Sequence, residues 1–572
     1  MASTTYLSPG VYVEEVPSAQ QPIAGVGTNT VGFIGIVPDV IYYPEPNPNY
    51  DPVLAQAALR LANLRAQLVG PNAPTGPTRA QIEATIDIES KSVESRTQSD
   101  IDRLRSDNEG LDRQIADLER AASTAQSEDE RRSAALDLQD LRRQRQEQQQ
   151  ELDELERDQQ TLTASTTTAV ATQQPPPAQA LVESELLRAS ELKPYILRQF
   201  KVEVQPYDTK LCTNFTEYTN RFGPFSADFP DLDPNTPEAK ALLCHRALTH
   251  AVNGFFKNGG TRCFVARIKQ ESEIGRALEA FESIDAIAII AAPGLAKQEI
   301  WGELVAHCDK CKDRFAILDC EEVVGTDSEL DVKLLSYDTR NNLLPQRSKN
   351  AAFYFPYIEV VDPAKQIQDQ DPARQVASKY LGRVYVPPSG HVAGIYARTD
   401  EERGVHKAPA NSPILGALDV KYYISRQKQD LLNPQGVNCI RNINGNITVW
   451  GARTIGGDSN YEWKYVNVRR FFLFLSESID EGTQWVVFEP NDPALWGKIR
   501  RNVTAFLTNV WRAGALFGLT PEEAFYVKCD AENNPPESRD LGMVVTEIGV
   551  AIVRPAEFVI FRITQATGPR TV

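Results

Sequence analysis

Cys308-Asp-Lys-Cys311, with His307 before it and Cys320 after it, has the residue types for holding a metal ion or exchanging a disulfide. A structural zinc ion takes four ligands, usually from two paired knuckles, and the chain has no second CxxC. A redox CxxC opens a helix directly after a strand, whereas this one closes a predicted helix leading into the apolar run 315–319. The cysteines therefore read as incidental buried thiols. Pro388-Ser-Gly-His-Val-Ala-Gly394 could be imagined cradling a phosphate, but the lysine of GxxxxGK[ST] is absent and no GxGxxG follows a strand. His245, His250, His307, His391 and His406 form no HExxH, and no GxSxG occurs. Paired carboxylates lie on charged helices and arms, where solvation accounts for them. No catalytic constellation, cofactor or metal site is implied.

Electrostatic docking is the chemistry that remains. A helix predicted over 493–517 carries Trp496, Ile499, Val503, Phe506, Leu507 and Val510 along one face. Lys498, Arg500, Arg501 and Arg512 sit beside or opposite that face, with no acid inside the helix. Solvated cations would explain the pattern. In a chain of formal charge −17 it equally suits a contact with an acidic partner surface.

The elements around these residues divide the chain. Residues 31–37 (VGFIGIV) read as a buried strand, followed by a proline-rich stretch over 38–52 where something is inserted. From residue 200 strands predicted at 201–204, 262–268, 286–291, 315–319 and 351–360 alternate with helices at 215–222, 237–256, 273–282, 297–311 and 373–381. Continuous apolar strands between amphipathic helices imply a largely parallel sheet covered on both faces. The last third reads as α+β, with strands at 438–443 and 446–453 around the hairpin signal Asn444-Gly445. A helix at 466–481, a strand at 485–488, the basic helix and a strand at 525–529 follow.

The insert is helical in composition. Between residues 78 and 163 there are 13 Lys/Arg against 22 Asp/Glu, a net of −9, and no proline. Ile101, Leu104, Asn108, Leu111, Ile115, Leu118, Ala122 and Ala125 occupy one heptad frame; Ala134, Leu138, Leu141, Leu152, Leu155 and Leu162 fit an offset one. The frames break across Ser123–Asp129, rich in capping residues, so two antiparallel helices are expected as a coiled-coil hairpin with arms of roughly 50 Å. One continuous helix with a stutter is the alternative. A Thr/Gln/Pro stretch over 163–179 reads as a flexible linker.

Both ends of the chain have strand composition. Residues 6–16 (YLSPGVYVEEV) and 544–563 (VVTEIGVAIVRPAEFVIFRI) are rich in β-branched and aromatic residues, yet termini fray unless held. Val11, Tyr12, Val13 and Val16, and Phe558, Val559, Ile560 and Phe561, are therefore candidates for pairing with a neighbouring subunit's sheet.

At 572 residues and pI ≈ 5.0 the chain should hold two to four domains, and its acidity argues against a general nucleic-acid binder. No apolar run approaches the 18 or so residues that span a bilayer, nor does a basic segment precede an apolar one at the N-terminus. Folding in the cytoplasm with reduced thiols is the expectation.

The N-terminal run, continued through PSAQQPIAGVGTNTVGFIGIV, closely resembles the opening of contractile tail sheath proteins. PPSGHVAGIYARTDEERGVHKAPAN over 387–411 is similar to an interior segment of the same family, with His406 where an aromatic residue often stands. Asn438-Cys-Ile-Arg441, Val449-Trp-Gly-Ala-Arg-Thr454, Val468-Arg-Arg470, Phe488-Glu-Pro-Asn-Asp492 and the run 542–555 extend the match, with Ile455 where Leu is usual. The insert over 38–199 lies outside it.

The resemblance implies an α/β plus α+β multi-domain tail-sheath fold with extended terminal β-arms; the inserted coiled-coil hairpin rests on the heptad frames alone. Its parts would be an N-terminal arm (1–20), an α/β domain (21–37 and 200–385), the insert (38–199), a C-terminal α+β domain facing the inner tube (386–553) and a C-terminal arm (554–572). It implies a homo-oligomer of stacked hexameric rings around an inner tube protein, with baseplate and terminal cap proteins as further partners. No nucleic acid and no direct membrane insertion are expected, and assembly is cytoplasmic. A phage-tail-like injection system is the favoured setting, with the tail of a contractile phage or prophage as the alternative. The competing classes are a coiled-coil scaffold and a doubly wound enzyme with a ligand at its strand ends.

Overall fold

The computed structural model describes residues 23–48, 50, 77–124, 128–164, 193–229, 233, 236–371, 374 and 381–560, with scattered positions between 52 and 68. Val11, Tyr12, Val13, Val16, Phe561, most of the 163–179 linker and most of the helix expected at 373–381 lie outside them.

Strand β1 (Val31–Ile36) is the centre of the body. It is followed by β2 (Val40–Pro46), then helices α1 (Pro77–Thr124) and α2 (Glu128–Ala164), and the chain returns through β3 (Tyr195–Lys201). β4 (Thr209–Cys212), α3 (Phe215–Phe222), α4 (Pro237–Lys257), β5 (Cys263–Ile268), α5 (Ile274–Glu282), β6 (Ile289–Ala291), α6 (Gln298–Cys311), β7 (Phe315–Asp319) and β8 (Ala351–Phe355) come next. β9 (Ile358–Val361), α7 (Pro363–Gln368), β10 (Arg383–Val386), α8 (Ser389–Arg403), β11 (Ser412–Pro413), β12 (Ala417–Val420), β13 (Val437–Ile443) and β14 (Asn446–Val449) follow. The chain ends its regular structure with α9 (Val466–Thr483), α10 (Pro493–Arg512), β15 (Phe525–Lys528) and β16 (Glu547–Val550).

Nine strands form one sheet in the order β11-β14-β13-β8-β7-β6-β1-β5-β4. The six from β13 to β5 run parallel, and β4, β14 and β11 cap the edges antiparallel. β1 stands where the winding reverses, between β5 and β6, which makes the sheet doubly wound. Buried residues fill both faces, one layer including Phe33, Leu248 and Phe255 and the other Ile34, Trp301 and Phe353. The sheet also runs across the boundary expected at 385/386, because β13 pairs with β8. Asn444 and Gly445 both take positive φ, 51° and 86°, as a two-residue hairpin between β13 and β14 requires.

Several expected elements differ. The strand expected at 201–204 lies earlier, as β3, and pairs antiparallel with β2 inside the proline-rich stretch, in register from Val40↔Lys201 to Pro46↔Tyr195. Pro44 and Pro46 stand two residues apart and so turn their missing N–H groups to the same edge, where no ladder bond is needed. The single strand expected at 351–360 is two strands, broken around Pro356, with β9 in a separate three-stranded sheet. Residues 485–488 are not a strand: a short 3-10 turn spans Gln484–Val486, and Phe488 stands out in solvent. Residues 389–403 fold as α8.

α1 and α2 lie side by side and antiparallel. Going outward from their connection, Arg142 pairs with Glu119, Arg145 with Asp112 and Arg105 with Glu156, at 2.6, 3.0 and 2.7 Å. These exposed pairs set orientation more than stability. Ile101, Leu104 and Leu152 form a small buried cluster, Leu111 is buried, and Ile115, Leu118, Leu138 and Leu141 are half-buried. Asn108 is buried among them with neither amide atom hydrogen-bonded, and the side chain of Leu155 lies outside the described residues.

Candidate assembly surfaces

The crevice at the carboxyl ends of the parallel strands is the place where a doubly wound sheet takes a ligand. Here the chain's own α8 closes it beside the switch point. Ser389, at the start of α8, donates its N–H and its hydroxyl to the Asp319 carboxylate at the end of β7, at 2.8 and 2.6 Å. Gly390 presses on α4 so tightly that a Cβ there would sit 2.2 Å from the Ala251 carbonyl oxygen. Burial pushes the Asp319 carboxyl up to about 7 against the pull of these hydrogen bonds. The arrangement fastens a helix to a sheet.

The thiols are equally closed. Cys308 and Cys320 are buried, and burial pushes both well above the usual thiol range. Cys311, half-buried at the helix end, lies 3.7 Å from His307 Nε2. None of the eight cysteines is in a disulfide, and among the described residues no three His, Cys, Asp or Glu side chains converge on a metal position. No described helix is long and apolar enough to cross a membrane.

α10 is built to display charge. Asp492 caps it, accepting from the Leu495 N–H at 2.8 Å, and Pro493 opens its first turn. Leu495, Trp496, Ile499, Val503, Phe506, Leu507 and Val510 are buried. At 100° per residue Arg501 and Arg512 point away from that stripe, with Lys498 and Arg500 on its flanks. All four cations are exposed, and among the described residues none forms an ion pair.

Both terminal segments are rooted by buried charge. At the N-terminal root Arg470 on α9 holds Asp400 on α8 through two bonds of 2.9 and 2.6 Å and donates to the Thr28 carbonyl at 2.9 Å. The Thr28 hydroxyl donates to the same Asp400 at 2.7 Å, and the Val26 N–H to Ser478 at 3.1 Å. At the C-terminal root β16 pairs with β15, and the Phe517 N–H then donates to the Ala551 carbonyl at 2.7 Å.

Glu557 is the hub that follows, and sequence reasoning missed it. It accepts from Arg453 Nε and Nη2 at 2.8 and 2.9 Å, from Tyr465 Oη at 2.8 Å and from Asn433 Nδ2 at 2.8 Å. Burial alone would raise the carboxyl, but these donors hold it below its ordinary value. Beyond it Phe558, Val559 and Ile560 are 69, 68 and 78% exposed and belong to no strand among the described residues.

Two family models match adjacent stretches: the phage tail sheath protein central domain over residues 270–455 and the phage tail sheath C-terminal domain over 458–566. Together they span just over half of the sequence. The chain belongs to the phage tail sheath protein family. Their junction falls after β14, once the last strand of the main sheet has been laid down. Among curated relatives, the tail sheath protein of Vibrio phage KVP40 is 28% identical over 181 residues, 31% of this chain and 26% of the relative. The putative prophage major tail sheath protein of Pseudomonas aeruginosa is 27% identical over 210 residues, 36% of this chain and 50% of the relative. The chain thus spans half or less of the length of these relatives.

Two solved structures are similar over more of the body. One chain of the anti-feeding prophage baseplate is 26% identical with a TM-score of 0.50, over 64% of this chain and 91% of that one. A chain of the PVC sheath complex, an extracellular contractile injection system in its contracted state, is 26% identical with a TM-score of 0.51, over 64% and 88%.

Proposed function

We propose that this chain is the structural subunit of a contractile sheath, stacked as hexameric rings around an inner tube and contracting to drive that tube through a target envelope. The collinear family match across 270–566, with the body's likeness to a contracted injection-system sheath, carries the reading. That likeness also favours a phage-tail-like injection system; the phage relatives support the second reading, a contractile phage tail.

In this account the body is rigid and the terminal arms are joints. Val11, Tyr12, Val13 and Val16 at one end, and Phe558 to Phe561 at the other, add strands to neighbouring sheets, since main-chain ladders persist while rigid bodies rotate. The buried clusters at Arg470 and Arg453 mark where flexing stops. The energy of contraction is stored in a metastable lattice, and no nucleotide is consumed. The particle is assembled in the cytoplasm together with baseplate and cap proteins.

Lys498, Arg500, Arg501 and Arg512 face the inner tube, and the acidic pair α1–α2 projects outward as a coiled-coil hairpin. Arg500→Glu with Arg501→Glu tests the first placement by co-assembly with the tube protein. Sheaths that self-assemble but no longer grow around the tube are expected; unchanged co-assembly would remove the assignment. Protease applied to assembled particles should trim 77–164 first, and protection there would refute the outward placement.

A further inference from the structure

Phe488 is 102% exposed, the largest value for any bulky apolar side chain among the described residues, and its backbone stands at φ 70°. Left-handed backbone is a rare state for a bulky aromatic residue, and strain of this kind persists where the surrounding structure enforces it, often for function. Val487 beside it is 59% exposed, and Leu541 and Met543, at 74 and 46%, stand on a loop tied to this one by Asn491 Nδ2 donating to the Met543 carbonyl at 2.9 Å. The exposed carboxylate of Glu489 follows directly. The protein therefore holds out an apolar knob with an acid at its edge.

A complementary cleft of about 660 Å³ lies elsewhere on the same chain, between the loop after α8 and the segment 553–559. Trp450, Ala452 and Pro555 line it together with Arg403, Lys407, Arg554 and the Glu557 carboxylate already held by Arg453. Lys407 Nζ donates to the Ala408 carbonyl at 2.6 Å, and Arg554 lies over the Tyr461 ring at 5.0 Å. Among the described residues none of the three cations is ion-paired. The cleft thus combines apolar side chains with three cations that no described carboxylate neutralises, the inverse of the knob.

We propose that Phe488 of one copy inserts into the Trp450–Pro555 cleft of a second copy, with Glu489 set against its cations. Knob and cleft occupy different parts of one surface, so the contact is heterologous and builds a ring or a helix rather than a closed pair. This rests on the sheath reading above. A large side chain filling a pocket that excludes water is the usual form of an interface anchor.

The test uses the full chain without tube protein, following assembly by sedimentation and negative-stain microscopy. Phe488→Gly removes the ring and also relieves the left-handed backbone, so folding is retained while the concentration needed for assembly rises at least about tenfold, equivalent to about 1.4 kcal/mol. Glu489→Arg and Arg554→Glu should each weaken assembly, and the double variant should regain it. Assembly of Phe488→Gly at the wild-type concentration would overturn the proposal. A defect seen only when tube protein is added would also overturn it, by assigning Phe488 to the tube contact. Wild-type protein forming neither rings nor tubes would sink the sheath reading itself.

Discussion

Arg453 and Glu557 meet through two parallel bonds, Nε to Oε1 at 2.8 Å and Nη2 to Oε2 at 2.9 Å, across 104 residues of sequence. The guanidinium is almost fully buried, and it also donates to the Asn433 carbonyl and to Asp458. A bidentate contact of this kind fixes orientation as well as distance. It fixes the place where the last segment of the chain leaves the body.

Glu557→Ala leaves a buried cation short of its main partner. The expected loss is about 2–3 kcal/mol, below the range for a fully unpaired buried charge because Asp458 remains. Urea denaturation measures it, and limited proteolysis should release residues beyond 553 faster than in the wild type.

Asp319 and Glu557 predict pH dependences of opposite sign. The folded protein holds the Asp319 proton up to about 7, whereas the unfolded chain releases it near 3.8. Between those values the native state binds more protons, so this group makes stability fall as pH rises, by about 1.4 kcal/mol per unit at most. Asp319→Asn should remove that slope. Glu557 is depressed, so its contribution is present above the unfolded value of 4.5 and is lost as pH falls through the lower folded one. Thermal melts from about pH 2.5 to 8, with both variants, separate the two.

The crossing of α4 and α8 depends on a missing side chain. A Cβ on Gly390 would lie 2.2 Å from the Ala251 carbonyl oxygen and 2.3 Å from its Cα, and backbone cannot yield as a side chain can. Gly390→Ala should therefore destabilise by about 1–3 kcal/mol, read as a lowered melting temperature with α8 as the first segment to exchange amide hydrogens.

The ribbon of β2 and β3 makes the insert a cassette. Pro46 faces Tyr195, and the Asn47 N–H donates to the Pro194 carbonyl at 3.0 Å, so the chain departs and returns at one point. Ile41, Tyr195 and Leu197 bury the base of the ribbon, and Asp39 pairs with buried Arg267 and with Lys269. Replacing residues 48–193 with Asn-Gly, a two-residue hairpin turn, should leave the body folded with nearly unchanged melting. An insoluble product would show that the insert supports the body.

Much of the main sheet was legible because its strands are continuous apolar runs with amphipathic helices between them. Phe215–Phe222 and Phe315–Asp319 match their predicted limits, and the apolar face of α10 follows directly from its 3.6-residue period. What could not be read was pairing between distant segments. β13 joins β8 across more than eighty residues, and period and composition carry no signal for that. β2 was hidden by its prolines, which an edge ribbon tolerates and a central strand does not. At 485–488 the β-favouring residues Trp485, Val486, Val487 and Phe488 suggested a strand, yet a turn and a left-handed residue stand there, and among the described residues no strand pairs with them. Glu557 and Asp319 look like ordinary acids in sequence, and only the fold brings their donors together.

Electron microscopy of the purified protein tests the central claim most directly. The sheath account predicts hollow tubes built from stacked six-subunit rings, formed without nucleotide. Compact oligomers of fixed size, or thin rods joined through the helical insert, would contradict it.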